Sequence, residues 1–132
     1  MIGIDTNIIV RLLTRDDPGQ FDAAVSLVRA SSAEAPLFVN PMVIAETIWV
    51  LERAYKVDRM VARTQIAGLL DTVEIRVPET LSMENWGQWL ASPHADFSDV
   101  MIADLNRMNG CEKTMTFDRK AANSVPGMEL LA

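Results

Sequence analysis

Four carboxylates stand at positions where a soluble chain does not normally place them. They are Asp5 at the end of MIGID, Glu46 within MVIAETIWVL, Asp99 within DFSDVMIADL, and Asp118 after TMTF. Each follows or interrupts a segment whose composition predicts burial. If the fold brings these segments together, the like charges raise one another's pKa unless a divalent cation holds them. The sequence therefore predicts a magnesium or manganese site.

Glu46 is the most informative of the four. On a helix, its neighbours three and four residues away are Met42, Val43, Trp49 and Val50, all of them apolar. Because burial of an unpaired carboxylate is costly, an acid on a packed apolar face needs a partner, and no Lys or Arg lies within a helical turn. The alternative is an acid at the edge of the apolar stripe that reaches water.

The aspartates have a simpler explanation as helix caps. Asp5 could cap a helix that begins directly after it, and Asp118 could cap the helix RKAAN. Asp96 and Asp99 resemble a capping pair before VMIADLNRM. Capping is plausible for each aspartate alone, but it does not account for Glu46.

Predicted strands and helices alternate along the chain. The strand patterns are IGID, LFVN, VEIRV and KTMTF, with MELL as a fifth candidate. Helix starts are indicated at Asp17-Pro18, Asn40-Pro41 and Asp58, and a helix stop at Asn109-Gly110. This alternation predicts an α/β fold, with one domain over residues 1–132 and a mainly parallel central sheet of four to five strands covered by helices on both faces.

In sheets of this kind, sites form at the carboxyl ends of the strands. Asp5 and Asp118 both lie at the carboxyl ends of predicted strands, so a single parallel sheet would place them at the same edge. Glu46 and Asp99 belong to the first turns of helices that could lean over that edge. The predicted topology is therefore compatible with one site that uses all four acids.

The composition limits the classes of function. The net charge of −6 over 132 residues argues against a uniformly basic nucleic-acid binder, so a polyanionic substrate would need local cations. Ordinary surface charge is the alternative for each of the candidate cations. These candidates are Arg11, Arg15, Arg53, Lys56, Arg119 and Lys120.

Other classes of site find little support. Neither GxGxxG nor GxxxxGK[ST] occurs, which disfavours the usual nucleotide-binding proteins. His94 is the one histidine, and no convincing nucleophile stands near it, which disfavours a serine or cysteine hydrolase triad. Trp86 and Trp89 fit a core better than a platform for base stacking or a subunit interface.

The cysteine content and the lack of targeting patterns indicate the cellular compartment. Cys111 is the single cysteine, so no internal disulfide can form, and we expect a buried thiol in a reducing compartment. No signal-peptide pattern and no run of 18 apolar residues is present. We therefore expect a soluble cytoplasmic protein without a membrane partner.

Taken together, these residues resemble those of the PIN-domain ribonucleases, and most closely the VapC toxins of bacterial toxin–antitoxin systems. The resemblance covers MIGIDTNIIVRLLTRDDPGQ, VIAETIWVLERAY and DFSDVMIADLNRMNGCEKTMTFDRKAA. DTN alone would be weak evidence. Its combination with RLLTRDDP, an acid in an apolar helix, DxxD and TFD is specific.

The resemblance implies a role for each acidic position. It assigns Asp5, Glu46, Asp99 and Asp118 as catalytic acids. Among these, Asp5 and Asp99 are the principal metal ligands, and Asp96 is a further candidate ligand. Polar support comes from Thr6, Asn7 and Thr116. Asp104 is expected on the outer face of its helix, because Arg107 follows three residues later.

The resemblance further implies a PIN-like domain that acts as a Mg²⁺- or Mn²⁺-dependent endoribonuclease. Water would attack phosphorus in line and release a 3′-hydroxyl and a 5′-phosphate. The implied partners are the RNA substrate, a second copy in a homodimer, and a VapB-like antitoxin. Any binding of DNA would occur only through the antitoxin. Two alternatives remain, a non-catalytic PIN-like binding module and a related metal-dependent nuclease or phosphatase that is not a toxin.

Overall fold

The computed structural model describes residues 1–92 and 94–132 of the chain. In these residues it contains seven α-helices and five short strands. The helices are α1 (Thr6–Thr14), α2 (Pro18–Arg29), α3 (Pro41–Arg53), α4 (Arg59–Leu70), α5 (Met83–Leu90), α6 (Phe97–Met108) and α7 (Arg119–Ser124). The strands are β1 (Ile2–Gly3), β2 (Leu37–Phe38), β3 (Ile75–Arg76), β4 (Thr114–Thr116) and β5 (Met128–Leu130).

Polar caps define the helix starts, as the sequence predicted. The Asp17 side chain accepts a 3.0 Å hydrogen bond from the backbone N–H of Gln20 at the start of α2. The Asn40 amide oxygen accepts one of 3.0 Å from Val43 at the start of α3, and Asp58 caps α4. In each case a side-chain oxygen satisfies a backbone donor that the first turn of a helix leaves unpaired.

The strands form two parallel sheets in the described residues, and this corrects the expected single sheet of four to five strands. β1, β2 and β3 pair in that order, with Gly3 opposite Phe38 and Phe38 opposite Arg76. β4 pairs only with β5. The α/β class and the parallel direction are confirmed. The sheet size was wrong because periodicity identifies strands but does not identify their partners.

The chain divides into two compact units, Met1–Met83 and Glu84–Ala132. In the first unit, α1 packs against α2 and α3, and α3 packs against α4. The interior of this unit is mainly aliphatic. Its most deeply buried side chains include Ile9, Leu37, Val39, Ile44 and Ile66.

The second unit contains an aromatic cluster. Trp86 and Trp89 meet edge to face with ring centroids 5.1 Å apart, and Phe97 lies 6.4 Å from each of them. Both tryptophans are 1% exposed. Their prediction as core residues is confirmed, and the alternative base-stacking role is wrong for this pair.

Two expectations about burial are wrong. Asp104 is buried rather than outward-facing, because its carboxylate accepts a hydrogen bond from Trp89 as well as pairing with Arg107. Cys111 is exposed rather than buried. Among the described residues, no helix has the length and apolar character needed to cross a membrane.

Candidate active site

The acids of interest occur in two groups, one in each unit. In the first unit, parallel pairing of β1 with β2 sets Gly3 opposite Phe38. Asp5 and Asn40 each stand two residues beyond these partners. Continuation of the register therefore brings both polar side chains to the carboxyl ends of neighbouring strands, where α/β proteins place their sites.

A cavity of about 270 Å³ opens at this end of the sheet. Its lining combines the residue that caps α1, the start of α1, and the cap and first turns of α3. The lining residues are Asp5, Thr6, Asn7, Asn40, Met42, Val43 and Glu46. The structure thus brings two predicted catalytic acids into one cavity, together with the predicted supporting residues Thr6 and Asn7.

Asp5 also serves as the cap of α1. One carboxylate oxygen, Oδ1, accepts hydrogen bonds from the backbone N–H groups of Asn7 at 3.1 Å and Ile8 at 3.4 Å. The other oxygen accepts no hydrogen bond from a described residue. The capping role and a role toward a ligand therefore use different oxygens of the same side chain.

Glu46 lies on an exposed face of α3, and this corrects the expectation of a packed apolar face. Two of the four neighbours that predicted burial are themselves exposed, Met42 at 74% and Trp49 at 58%, and the other two, Val43 and Val50, are only partly buried. Helical periodicity groups residues on one side of a helix, but it does not identify which apolar side the fold covers. The alternative of an acid that reaches water is confirmed.

The second group lies in the second unit around Asp99. Partial burial raises the pKa of the Asp99 carboxyl, and the negative charges of Asp96 and Asp118 raise it further. Asp99 belongs to the first turn of α6, whereas Asp118 precedes α7. The second unit thus brings Asp96 and Asp118 near enough to Asp99 for their charges to act on its carboxyl group.

Local hydrogen bonds fix the Asp118 side of this group. The Asp118 carboxylate caps α7 by accepting a 3.1 Å hydrogen bond from the Ala121 backbone, so its predicted capping role is confirmed. The Thr116 hydroxyl oxygen accepts a 3.0 Å hydrogen bond from the Asp118 backbone N–H. Asp96 occupies the cap position of α6 without a side-chain capping bond, contrary to the expected capping pair.

The topological argument for joining the two groups was wrong. Asp5 follows β1 of the three-stranded sheet, whereas Asp118 follows β4 of the two-stranded sheet. The carboxyl ends of these two strands therefore do not form one sheet edge. The assignment of all four acids to one catalytic site stays a prediction.

Carboxylate and amide oxygens are the donors that hard divalent cations prefer. Both groups contain donors of this type. The first unit supplies Asp5, Glu46 and Asn40, and the second supplies Asp96, Asp99 and Asp118. Within residues 1–92 and 94–132, no three carboxylate, imidazole or thiol side chains are arranged to coordinate a single ion. A cation held here would therefore complete its shell with water or substrate oxygens, as Mg²⁺ usually does.

Comparison with models of protein families shows to which family the chain belongs. The PIN domain model matches residues 2–125, which is most of the chain and includes all four predicted catalytic acids. The chain belongs to the PIN domain family. PIN domains are generally metal-dependent nucleases, so membership supports hydrolytic nuclease chemistry. Comparison with curated proteins gave no match.

Two features of this PIN domain escaped the sequence reasoning. Asn40 was identified only as a cap, yet its side chain also lines the cavity with Asp5 and Glu46. Its position at the carboxyl end of a predicted strand, like that of Asp5, was the signal that could have identified it. The apolar neighbours of Glu46 predict a packed helix face that includes Trp49, whereas Trp49 is 58% exposed.

Proposed function

We propose that this PIN domain is a Mg²⁺- or Mn²⁺-dependent endoribonuclease that acts as the toxin of a toxin–antitoxin pair. The family match over residues 2–125 carries the nuclease assignment. The resemblance of DTN, RLLTRDDP and TFD to VapC sequences supports the narrower assignment to RNA and to a toxin. The cavity shared by Asp5 and Glu46 supports the choice of catalytic acids.

The acids of both units belong to one catalytic domain in this proposed function. Its support is the family model, which continues from residue 2 to 125 through parts of both units. Asp5 and Asp99 are the proposed principal metal ligands. Glu46 and Asp118 complete the acidic set, and Asp96 is a further candidate ligand.

When bound, a divalent ion supplies a Lewis acid that polarises a phosphodiester and promotes the ionisation of water. The chain's own groups hold and orient the reactants. Asp5 presents the oxygen that its capping bonds leave open, and Glu46 stands on an exposed helix face where it can orient the attacking water. Thr6, Asn7 and Thr116 support this acidic set, Thr116 by holding the backbone N–H of Asp118.

The proposed partner is a VapB-like antitoxin, which would place cationic and apolar groups against the acids. An apolar groove of about 390 Å³ between α1 and α2 supports this proposal, since amphipathic helices commonly bind in such grooves. Asn7 lines both this groove and the acidic cavity. A partner helix in the groove could therefore reach the cavity with an arginine, which pairs with carboxylates through two hydrogen bonds.

Cleavage of a purified RNA with Mg²⁺ or Mn²⁺ tests the nuclease assignment. We expect 5′-phosphate and 3′-hydroxyl ends, and we expect Asp99→Asn and Glu46→Gln each to lower the rate by at least about 10²-fold. Asp22→Asn is the matched control, because Asp22 is exposed on α2 and has no proposed role. Full activity in Asp99→Asn would contradict the site assignment, and preferential cleavage of DNA would contradict the substrate assignment.

Co-expression tests the toxin role. We expect the chain alone to arrest bacterial growth, and the product of the adjacent gene to restore growth and co-purify with it. Light scattering of the purified chain should give twice the 14.6 kDa protomer mass, as a homodimer requires. Growth arrest that persists in Asp99→Asn cells would show that toxicity does not depend on cleavage.

A further inference from the structure

One exposed face of α3 carries an unusual series of side chains. Met42, Glu46, Trp49 and Arg53 follow one another at intervals of four, three and four residues, which places them on one side of the helix. Met42 and Trp49 are 74% and 58% exposed, and Glu46 and Arg53 are exposed as well. We call this series the α3 stripe.

Trp49 is the feature of the stripe that demands an explanation. The other tryptophans, Trp86 and Trp89, are 1% exposed, so Trp49 differs from both in presenting its indole ring to solvent. A single exposed apolar side chain is ordinary in soluble proteins. The groups beside Trp49 therefore determine what its exposure means.

The two charged groups of the stripe have no partners among the described residues. Neither Glu46 nor Arg53 forms a hydrogen bond or ion pair there, whereas Glu52 on the same helix pairs with Arg59 at 3.0 Å. A purely apolar partner helix laid along the stripe would strip water from both charges without compensation. The stripe is therefore a poor match for a continuous apolar surface.

A single strand of RNA matches this combination much better. Bases stack on exposed aromatic rings, and phosphates pair with arginine. At 1.5 Å per residue, Trp49 lies about 4.5 Å beyond Glu46 along the helix axis, and Arg53 about 6 Å beyond Trp49. The carboxylate of Glu46, the ring of Trp49 and the cation of Arg53 thus follow one another along the helix. A base and a neighbouring phosphate of one RNA strand can span the separation between the ring and the cation.

We propose that Trp49 stacks on a base of single-stranded RNA beside the cleavage position, and that Arg53 contacts the next phosphate. The stripe is continuous with the acidic cavity, because Met42 and Glu46 line that cavity. The inference rests on the proposed nuclease function and extends it to substrate binding. Trp49 and Arg53 position the RNA and take no part in the bond cleavage itself.

Binding of a labelled single-stranded oligoribonucleotide, measured by anisotropy in EDTA, tests the stacking contact without metal-dependent cleavage. We expect Trp49→Leu to raise Kd about 5- to 150-fold, because stacking on an aromatic side chain contributes this much per base. Trp49→Phe should recover most of the affinity, since it keeps a ring. Val73→Ala is the control for loss of an exposed apolar side chain elsewhere in the same unit, and it should bind normally.

The phosphate contact has a separate readout. We expect Arg53→Gln to reduce the slope of log K against log salt by about 0.7, the value for one phosphate contact on a single strand. Arg29→Gln removes the same charge from an exposed position on α2 and should leave the slope unchanged. In wild-type protein, RNA should quench the fluorescence of exposed Trp49, and this quenching should vanish in Trp49→Leu.

The outcomes separate this inference from the proposed function. If wild-type protein cleaves RNA and Trp49→Leu binds RNA as tightly as wild type, the stacking proposal is wrong. The same holds if Trp49→Leu leaves RNA binding intact but dissociates a homodimer in sedimentation, which would make the stripe a self-association surface. If wild-type protein binds RNA through Trp49 but cleaves none with Mg²⁺ or Mn²⁺, the nuclease function fails and the stacking contact stands.

Discussion

The indole Nε1 of Trp89 donates a 2.7 Å hydrogen bond to Oδ2 of Asp104, and both side chains are buried. The other carboxylate oxygen of Asp104 pairs with Arg107, whose side chain is 60% exposed. The carboxylate thus joins the aromatic cluster of the second unit to a cation at the surface. Its role is structural, although it lies on the same helix as the catalytic candidate Asp99.

Asp104→Ala should destabilise the fold by about 1–3 kcal/mol, because it leaves the buried Trp89 N–H without an acceptor. Urea unfolding measures the change. Arg107→Gln is the matched control, and it should cost less than Asp104→Ala, because the Arg107 side chain is 60% exposed and water screens its pairing with Asp104. Equal losses in the two variants would show that the Trp89 contact does not contribute to stability.

Replacement of Asp5 should separate capping from catalysis. Asparagine caps helices about as well as aspartate, so Asp5→Asn should unfold at nearly the wild-type urea concentration, whereas Asp5→Ala should lose about 1 kcal/mol. Both variants should lose at least about 10²-fold in RNA cleavage, since neither supplies a carboxylate to the metal. Cleavage retained in Asp5→Asn but lost in Asp5→Ala would show that Asp5 acts only as a cap.

Asp99 should make the fold less stable as the pH rises. Its folded-state pKa lies above the unfolded value of about 3.9. Between these two values the folded chain keeps the Asp99 proton and the unfolded chain releases it, so the free energy of unfolding falls as the pH rises. Asp99→Asn should therefore gain stability relative to wild type between about pH 3 and neutral pH. Urea unfolding across this range is the measurement, with Asp22→Asn as the control. A difference that does not grow with pH would show that neither burial nor the neighbouring acids raise the pKa of Asp99.

Asp16 should show the opposite dependence. The Tyr55 hydroxyl donates a 2.6 Å hydrogen bond to Asp16, and this bond is the main cause that lowers the pKa of the carboxyl, followed by the bond from Thr14. The resulting stability is present above the unfolded pKa and is lost as the pH falls through the lowered folded value. Tyr55→Phe should therefore be less stable than wild type at neutral pH, with a difference that shrinks in acid. An unchanged difference at every pH would assign the loss to packing.

Metal should stabilise the folded chain if the acids bind it. Mg²⁺ or Mn²⁺ at a hundredfold excess over Kd should add about 2.7 kcal/mol to the free energy of unfolding and raise Tm. The shift should be smaller in Asp99→Asn, while the same concentration of KCl should produce none in wild type. No shift with millimolar Mn²⁺ would contradict the metal assignment.

The local structure was readable from the sequence because short-range chemistry determines it. Asp17, Asn40 and Asp58 cap helices where their side chains predicted caps, and Asn109 with Gly110 ends α6 as expected. Gly110 has a φ of 88°, a conformation that glycine adopts without strain. These features depend only on residues within four positions of one another.

Long-range pairing and burial were not readable in the same way. The strand patterns contained no information that β4 would pair with β5 rather than join the other three strands. Similarly, the apolar neighbours of Glu46 predicted a covered helix face, but α3 turns a different side, with Ile44, Ile48 and Leu51, toward the interior. Asp104 was misplaced because its second partner, Trp89, is fifteen residues away.

The brevity of the strands bears on how the chain avoids aggregation. The edge strands of the three-stranded sheet, β1 and β3, have two residues each, although Ile2 on β1 is 58% exposed. Addition of a foreign strand needs a row of unpaired backbone groups, and fibril-forming segments are typically about six residues long. An edge of two residues is too short a template, so the first unit can display an apolar side chain there without recruiting other chains.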